Sequence, residues 1–291
     1  MRADETKHVQ AHDASAATIA DFGQQWTRYT TNDGYYASLE LFADICGPLL
    51  PVDRIRGTAT AEIGSGTGRI VRMLLDAGAR HVTAVEPSDA FDVLRANTHA
   101  DAGRISYVRD RGENIPQGSF DFVFSIGVLH HIPDPGPVMR AAYVALRGGG
   151  QMLIWLYGRE GNEGYLRLIE PLRAITTRLP APLLAGVCHA LNLALAAYVP
   201  LCRAVSLPLR GYVNNVLAKL SREKRFLVIY DQLNPTWAKY YTRAEAIELF
   251  RGAGFADVQA HHRHGYSWTV IGTKRETTAT PQTEQSSASP R

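Results

Sequence analysis

"TATAEIGSGTGRI", residues 58–70, sets glycines at 64, 66 and 68 directly behind an apolar run that carries one acid, Glu62. A strand interior disfavours glycine, which packs nothing and loses the most entropy on ordering. The spacing therefore predicts that a strand ends here, in a tight turn whose backbone comes close to a partner. In an open parallel sheet such partners lie beyond the carboxyl ends of the strands, at the switch point beside the first strand.

The flanking sequence supplies that sheet. From 58 to 157, β-rich runs ("TATAEIG", "HVTAVEPS", "RISYVRD", "SFDFVFSIGVL", "QMLIWLYG") alternate with helical patterns, among them "RIVRMLLDAG", "DAFDVLRANTHA" and "PGPVMRAAYVALRGGG". Ser88 or Asp89 is positioned to cap the second helix, and the glycines 148–150 to end the third. Strands separated by helices imply right-handed crossovers and a parallel sheet covered on both faces. Further on, "TRAEAIELFRGAGF" reads as a helix leading into two β-rich runs joined at Gly265, a hairpin that ends the sheet with an antiparallel strand.

Two cofactor classes compete for the turn. Dinucleotide binding wants G-x-G-x-x-G, and Arg69 stands where the third glycine would be. Glu86, at the end of the second strand, suits the ribose hydroxyls of either class, because a carboxylate accepts from both.

"EIGSGTG", "AVEPS" and "GSFDFVFSIGVLHHIPDP", in this order and at these intervals, resemble the class I S-adenosylmethionine-dependent methyltransferases. The resemblance covers roughly residues 55–160 by motif and 242–275 by the terminal helix and hairpin. It implies an α/β fold with a seven-stranded Rossmann-like sheet, mostly parallel with an antiparallel last strand and helices on both faces, which residues 159–241 interrupt as a helical insertion after the fifth strand. It implies S-adenosyl-L-methionine as methyl donor. Gly64, Ser65 and Gly66 would lie against its methionine part, with Gly68 also in the cofactor-binding turn and Glu62 supporting the ammonium. Glu86 and Pro87 would serve the ribose, and Ser125, Ile126 and Gly127 would pass beneath the sulfonium. After the third strand "VRDRGENIP" departs from the family's usual run, leaving Asp110 and Glu113 as adenine-pocket candidates.

Methyl transfer from a sulfonium is an in-line displacement that rests on alignment, and needs a base only where the acceptor holds a proton. His130 and His131 follow the fourth strand, where an acceptor would sit, and are the candidate bases; a structural turn is the competing reading. Trp26, Tyr29 and Tyr35, in the aromatic segment before the sheet, are candidates to close over the cofactor. His261, His262 and His264 lack the convergent partners a metal needs, so no metal is expected.

Composition sets the frame: 291 residues, 45% hydrophobic, 20% charged and net +3. That charge gives no argument for a nucleic-acid partner. Three scattered cysteines and a polar N-terminus fit a reducing cytoplasm. We expect disorder over 1–14, a helical cap over 15–57, the cofactor domain over 58–158 and 242–275, an insertion over 159–241 and a disordered tail over 276–291.

The insertion is unusual. Residues 179–202 contain no charged residue, and residues 171–230 hold eight basic residues against Glu223 alone, a net +7 that leaves −4 for the rest. Pro180, Pro182 and Pro200 fence an apolar helix of roughly 17 residues, the short limit for a membrane span. The chain must also return to its own sheet, which argues against spanning. The insertion then reads as a cover over an acceptor pocket or as a peripheral contact with the inner membrane face through 171–230, while its charge also suits an acidic substrate or a solvated basic face on a buried helical pair. The expected acceptor is a small molecule, a sugar or a lipid-linked group. The rivals are a protein that binds S-adenosylmethionine or S-adenosylhomocysteine without catalysis, and a nicotinamide-dependent oxidoreductase.

Overall fold

The computed structural model describes residues 2–276, so the expected tail lies almost wholly outside the described residues. Helix α1, Arg2–Arg28, opens the chain. Residues 2–14, where disorder is expected, belong to this helix. That segment is polar, but it has no glycine or proline and is rich in Ala, Arg, Glu, Lys and Gln, which propagate a helix once its far end is anchored. A 3-10 turn at Gly34–Ala37 leads to α2, Leu39–Cys46, whose Ser38 cap accepts from the Leu41 amide.

The sheet then begins. β1 (Ala59–Ile63), α3 (Arg69–Asp76), β2 (His81–Val85), α4 (Ala90–Asn97), β3 (Ile105–Val108), β4 (Phe120–Ile126), α5 (Gly136–Ala145) and β5 (Leu146–Tyr157) follow in turn. Four helices come next: α6 (Glu163–Thr176), α7 (Ala181–Ala204), α8 (Arg210–Asn215) and α9 (Arg222–Leu233). The chain closes with α10 (Arg243–Gly252), β6 (Ala256–Arg263) and β7 (Ser267–Thr273). The seven strands order as β3-β2-β1-β4-β5-β7-β6, with β7 antiparallel to both neighbours and the other pairings parallel. This is the expected fold, and it puts the ends of β1 and β4 side by side at the switch point.

Strands buried on both faces carry apolar residues of both parities. On one face Phe122 and Phe124 join Phe42 of α2, Leu74 of α3 and Leu94 of α4. On the other, Ala61 and Val123 join Met139 of α5 and Phe250 of α10. Two local readings change. The glycines at 148–150 do not end α5 but lie inside β5, where the ladder to β4 shifts register between Phe120 and Phe122. A Cβ on Gly150 would stand 2.8 Å from the Phe120 carbonyl, so this irregular pairing needs glycine. Ser88, not Asp89, caps α4, its hydroxyl accepting from the Ala90 amide, while Asp89 pairs with Arg109 at 2.8 Å.

In the insertion, α7 runs 24 residues, straight through Pro200. The Ala196 carbonyl that loses its partner there belongs to an exposed residue, where water can replace the missing donor. Leu184, Cys188, Asn192, Val199 and Cys202 form one buried stripe at helical spacing. Part of the positive charge points inward. Arg173 donates to the Gln232 carbonyl at 2.7 Å, and buried Lys224 donates to the Thr31 carbonyl at 2.6 Å. Lys219 pairs with Glu40 at 2.6 Å, tying the insertion to α2.

Candidate active site

A cavity of about 900 Å³ opens at the carboxyl ends of β1, β2 and β4 and runs on between α1 and the insertion helices. Its floor is the glycine turn. Gly64 has φ +79°, and a Cβ there would stand 2.4 Å from a Val128 methyl, so only hydrogen fits. Gly66 has φ +50°, and its nearest neighbour would be Trp26 at 3.6 Å, so its bare backbone faces open cavity. Gly68 does not reach the wall. It packs on α4, where a Cβ would meet Leu94 and Thr98 at 2.9 Å.

Two acids meet at the turn. Glu86 accepts from the Gly66 amide at 2.7 Å and from the Ser88 amide at 3.0 Å. These contacts fix the carboxylate on the cavity wall and leave lone pairs for ligand hydroxyls. Glu62 is 1% exposed, and its Oε2 has no hydrogen-bond partner among the described residues. Burial pushes its carboxyl up to about 8. An unpartnered buried carboxyl oxygen is costly. Placed beside a glycine cradle, it fits an ammonium group.

The other expected cofactor residues divide. Ser65, Pro87, Glu113, Ile126, Gly127 and Trp26 lie on the wall. Ser125 does not; it is fully buried one residue before Ile126, turned toward the Ile63 carbonyl. Asp110 also faces away. It accepts from the Asn114 side chain at 2.8 Å and the Arg111 amide at 2.7 Å, and these bonds lower its pKa. Arg111 and Gly112 join Glu113 on the wall in its place.

Of the three expected cover residues Trp26 alone is on the wall. Tyr29 packs edge-on against Phe226 and Tyr230, away from the cavity. Tyr35 bonds outward to the Asn215 carbonyl, because the 3-10 turn aims Tyr36 inward instead. From α1 the wall takes Ser15, Thr18, Ile19, Phe22 and Trp26. Their spacing of three, one, three and four is one helical face, a signal the sequence already carried.

The two histidines differ. His130 is fully buried, off the wall, and stacks on Tyr157 at 3.8 Å, with neither ring nitrogen within hydrogen-bonding geometry of a partner. Burial holds its pKa well below the usual imidazole range. It cannot meet an acceptor. His131 is on the wall, its Nδ1 2.9 Å from the Trp237 carbonyl, and burial lowers its pKa to about 3. The ring is therefore neutral at physiological pH, with Nδ1–H donating to Trp237 and Nε2 left as acceptor. Sequence reasoning missed Asp231 of α9. It lies on the wall, accepts from the Gln25 side chain, and desolvation raises its pKa to about 7. Among the other histidines, His262 stacks on Trp268 at 4.2 Å and His264 bonds Asp44 at 2.8 Å.

Residues 61–154 match the family model of a methyltransferase domain. These residues thus carry a methyltransferase domain, in keeping with the resemblance to the class I S-adenosylmethionine-dependent methyltransferases. The match spans the whole glycine turn and both strand-end acids, and displaces the nicotinamide reading. Among relatives of this chain, a tRNA U34 carboxymethyltransferase of Pseudoalteromonas translucida is 31% identical over 119 residues, 40% of this chain and 37% of that protein. A ubiquinone biosynthesis O-methyltransferase of Aromatoleum aromaticum is 29% identical over 134 residues, 40% of this chain and 57% of that protein. The chain thus spans less than two thirds of the relatives it matches. A solved N1-methyltransferase acting on 1,6-didemethyltoxoflavin, from Burkholderia thailandensis, superposes with a TM-score of 0.51 at 16% identity. It covers 94% of this chain and 90% of its own, holds S-adenosylhomocysteine, and attests the fold. With a tRNA-directed enzyme among the relatives, the small net charge is no longer a reason to set nucleic acid aside.

Proposed function

We propose that this methyltransferase takes S-adenosyl-L-methionine on the β1–β2–β4 floor and transfers its methyl group to a small, largely apolar acceptor held by the insertion. The observation that carries the reading is one continuous cavity with two chemically different ends. At one end stand the unpartnered Glu62 oxygen, the Gly64–Gly66 cradle and Glu86. At the other stand Leu172, Leu195, Val213, Leu217 and Ile229 of the insertion. Glu62 would hold the ammonium, Glu86 the ribose hydroxyls, and Glu113 with Arg111 would flank the adenine. When bound, the cofactor supplies an electrophilic methyl group on its sulfonium.

This chain's own residues then have to exclude water, orient the acceptor and take up its proton. Phe22, Trp26 and Tyr36 wall off solvent on the N-terminal side. Asp231, with its pKa near 7, is half charged at neutral pH and suits proton removal from a hydroxyl better than His131 does. His131 offers Nε2 as a fixed acceptor that orients rather than titrates.

Incubation of the full chain with methyl-labelled cofactor and separated cell fractions tests the reading. Label is expected in an organic-extractable small molecule. Label in tRNA would overturn the acceptor class while leaving methyl transfer intact. No label in any fraction, with cofactor binding measured by calorimetry, would mean a protein that binds without catalysis.

A further inference from the structure

A helix on a water-facing surface ordinarily carries polar residues on its outer side. α7 does not. Opposite its buried stripe, its outer positions include Leu183, Gly186, Ala190, Leu193, Ala197 and Leu201, and no charged residue occurs from Ala181 to Cys202. Leu183 is 59% exposed, Leu193 65% and Leu201 53%. Val205 just beyond is 55% exposed, and Ile175 on α6 is 61% exposed. The two ends of this strip are marked by exposed arginines: Arg178 before α7, and Arg203 and Arg210 at and after its end.

We propose that this face docks on an anionic lipid bilayer, with α7 lying in the plane of the membrane surface. An apolar strip of one helix length with cations at both ends matches the layering of such a surface, acyl chains beneath acidic headgroups. α7 is long and apolar enough to cross a membrane. Its inner stripe, however, is committed to the protein: Cys188 and Cys202 are fully buried, and Asn192 donates to the Arg222 carbonyl at 2.8 Å. Lying flat satisfies the outer face without breaking those contacts. A second copy laid antiparallel on the strip would set arginine against arginine at both ends, so charge favours the anionic surface over self-association. Leu168 of α6, 75% exposed, is also on the cavity wall, so the cavity is open beside this face. Docking stands apart from the methyl-transfer reading, because it is measured without turnover.

The full chain would be floated with vesicles of phosphatidylcholine alone and of phosphatidylcholine mixed with phosphatidylglycerol, at low and high salt. Binding is expected only to the anionic vesicles and should weaken with salt, which shortens the screening length. Arg178→Gln and Arg203→Gln should each lower the partition coefficient roughly fivefold. Leu193→Ser with Leu201→Ser should abolish binding while cofactor affinity, which reports the fold, is unchanged. Four results would overturn docking. Three are flotation with no vesicle, equal binding to neutral and anionic vesicles, and indifference to both arginine substitutions. The fourth is a dimer, lost in the leucine variant, that forms in place of vesicle binding.

Discussion

The raised pKa of Glu62 makes cofactor binding a proton-linked event. In the free protein burial holds the carboxyl at about 8, against an ordinary 4.5. A shift of that size disfavours the charged form by roughly 5 kcal/mol. For an acid whose folded pKa is raised, the unfolded state binds fewer protons across the shifted window. The free protein should therefore lose stability as pH rises from about 4.5 to 8. A cation placed against Oε2 reverses the preference and drives the proton off. At pH 7 roughly 0.9 of the free molecules hold that proton, so binding should release close to one proton. Between pH 6 and 7.5 the affinity should rise nearly tenfold per pH unit. Isothermal calorimetry in buffers of different ionisation enthalpy reads the count directly. An α-amino group titrates near pH 8 as well, so the deciding quantity is the difference between wild type and Glu62→Gln. The variant should bind more weakly, release no proton near neutrality, and be more stable than wild type above pH 8. Equal proton release by the two proteins would refute the placement of the ammonium at Glu62.

Three further outcomes follow from the same cavity. Gly64→Ala should destabilise the free protein, because its Cβ meets Val128 at 2.4 Å, with partial recovery in a Val128→Ala background seen in thermal melts. Gly66→Ala has free space for its Cβ but is strained at φ +50°, so it should lose some stability, and it should weaken cofactor binding because the methyl enters the cavity. Asp231→Asn should lose turnover far more than cofactor affinity, which falls only as the cover loosens, and the wild-type rate should rise with pH through about 7, where the carboxyl ionises. A flat pH–rate profile would return Asp231 to a purely structural role.

The cofactor end was legible because its signals are local. Three glycines, a strand-end acid on each of two strands and a Gly after the fourth strand are contiguous words, each tied to a turn that the backbone needs. The sheet was legible for the same reason, as a repeated alternation whose parity both faces confirm. The acceptor end was not. Asp231 looks like any helical acid until Gln25, distant in sequence, is folded against it. Gly68 looks like its two neighbours, yet α4 alone explains it. Tyr35 and Tyr36 are adjacent, and only the phase of a short 3-10 turn decides which one faces inward. Proline at 200 reads as a stop, but an exposed carbonyl one turn earlier removes most of its cost.

The two ends of the cavity are joined through α1. Gln25 binds Asp231 on α9, and its neighbour Trp26 covers Gly66 on the cofactor floor. Asn234 donates to the Asp21 carbonyl and to Gln25 Oε1, each at 3.1 Å, and the Thr236 amide and hydroxyl donate to the Asp21 carboxylate at 2.8 and 2.7 Å. On the opposite side Asn32 exchanges hydrogen bonds with Thr67 within the glycine turn, and Asn97 donates to the Thr67 carbonyl at 2.9 Å. The cover is thus pinned to the insertion at one edge and to the cofactor turn at the other. Gln25 donates to Asp231, so it binds the charged carboxylate more strongly than the neutral acid. Protonation of Asp231 weakens the bond one residue from Trp26, which makes the charge state of the acceptor end part of what holds the cover over the cofactor end.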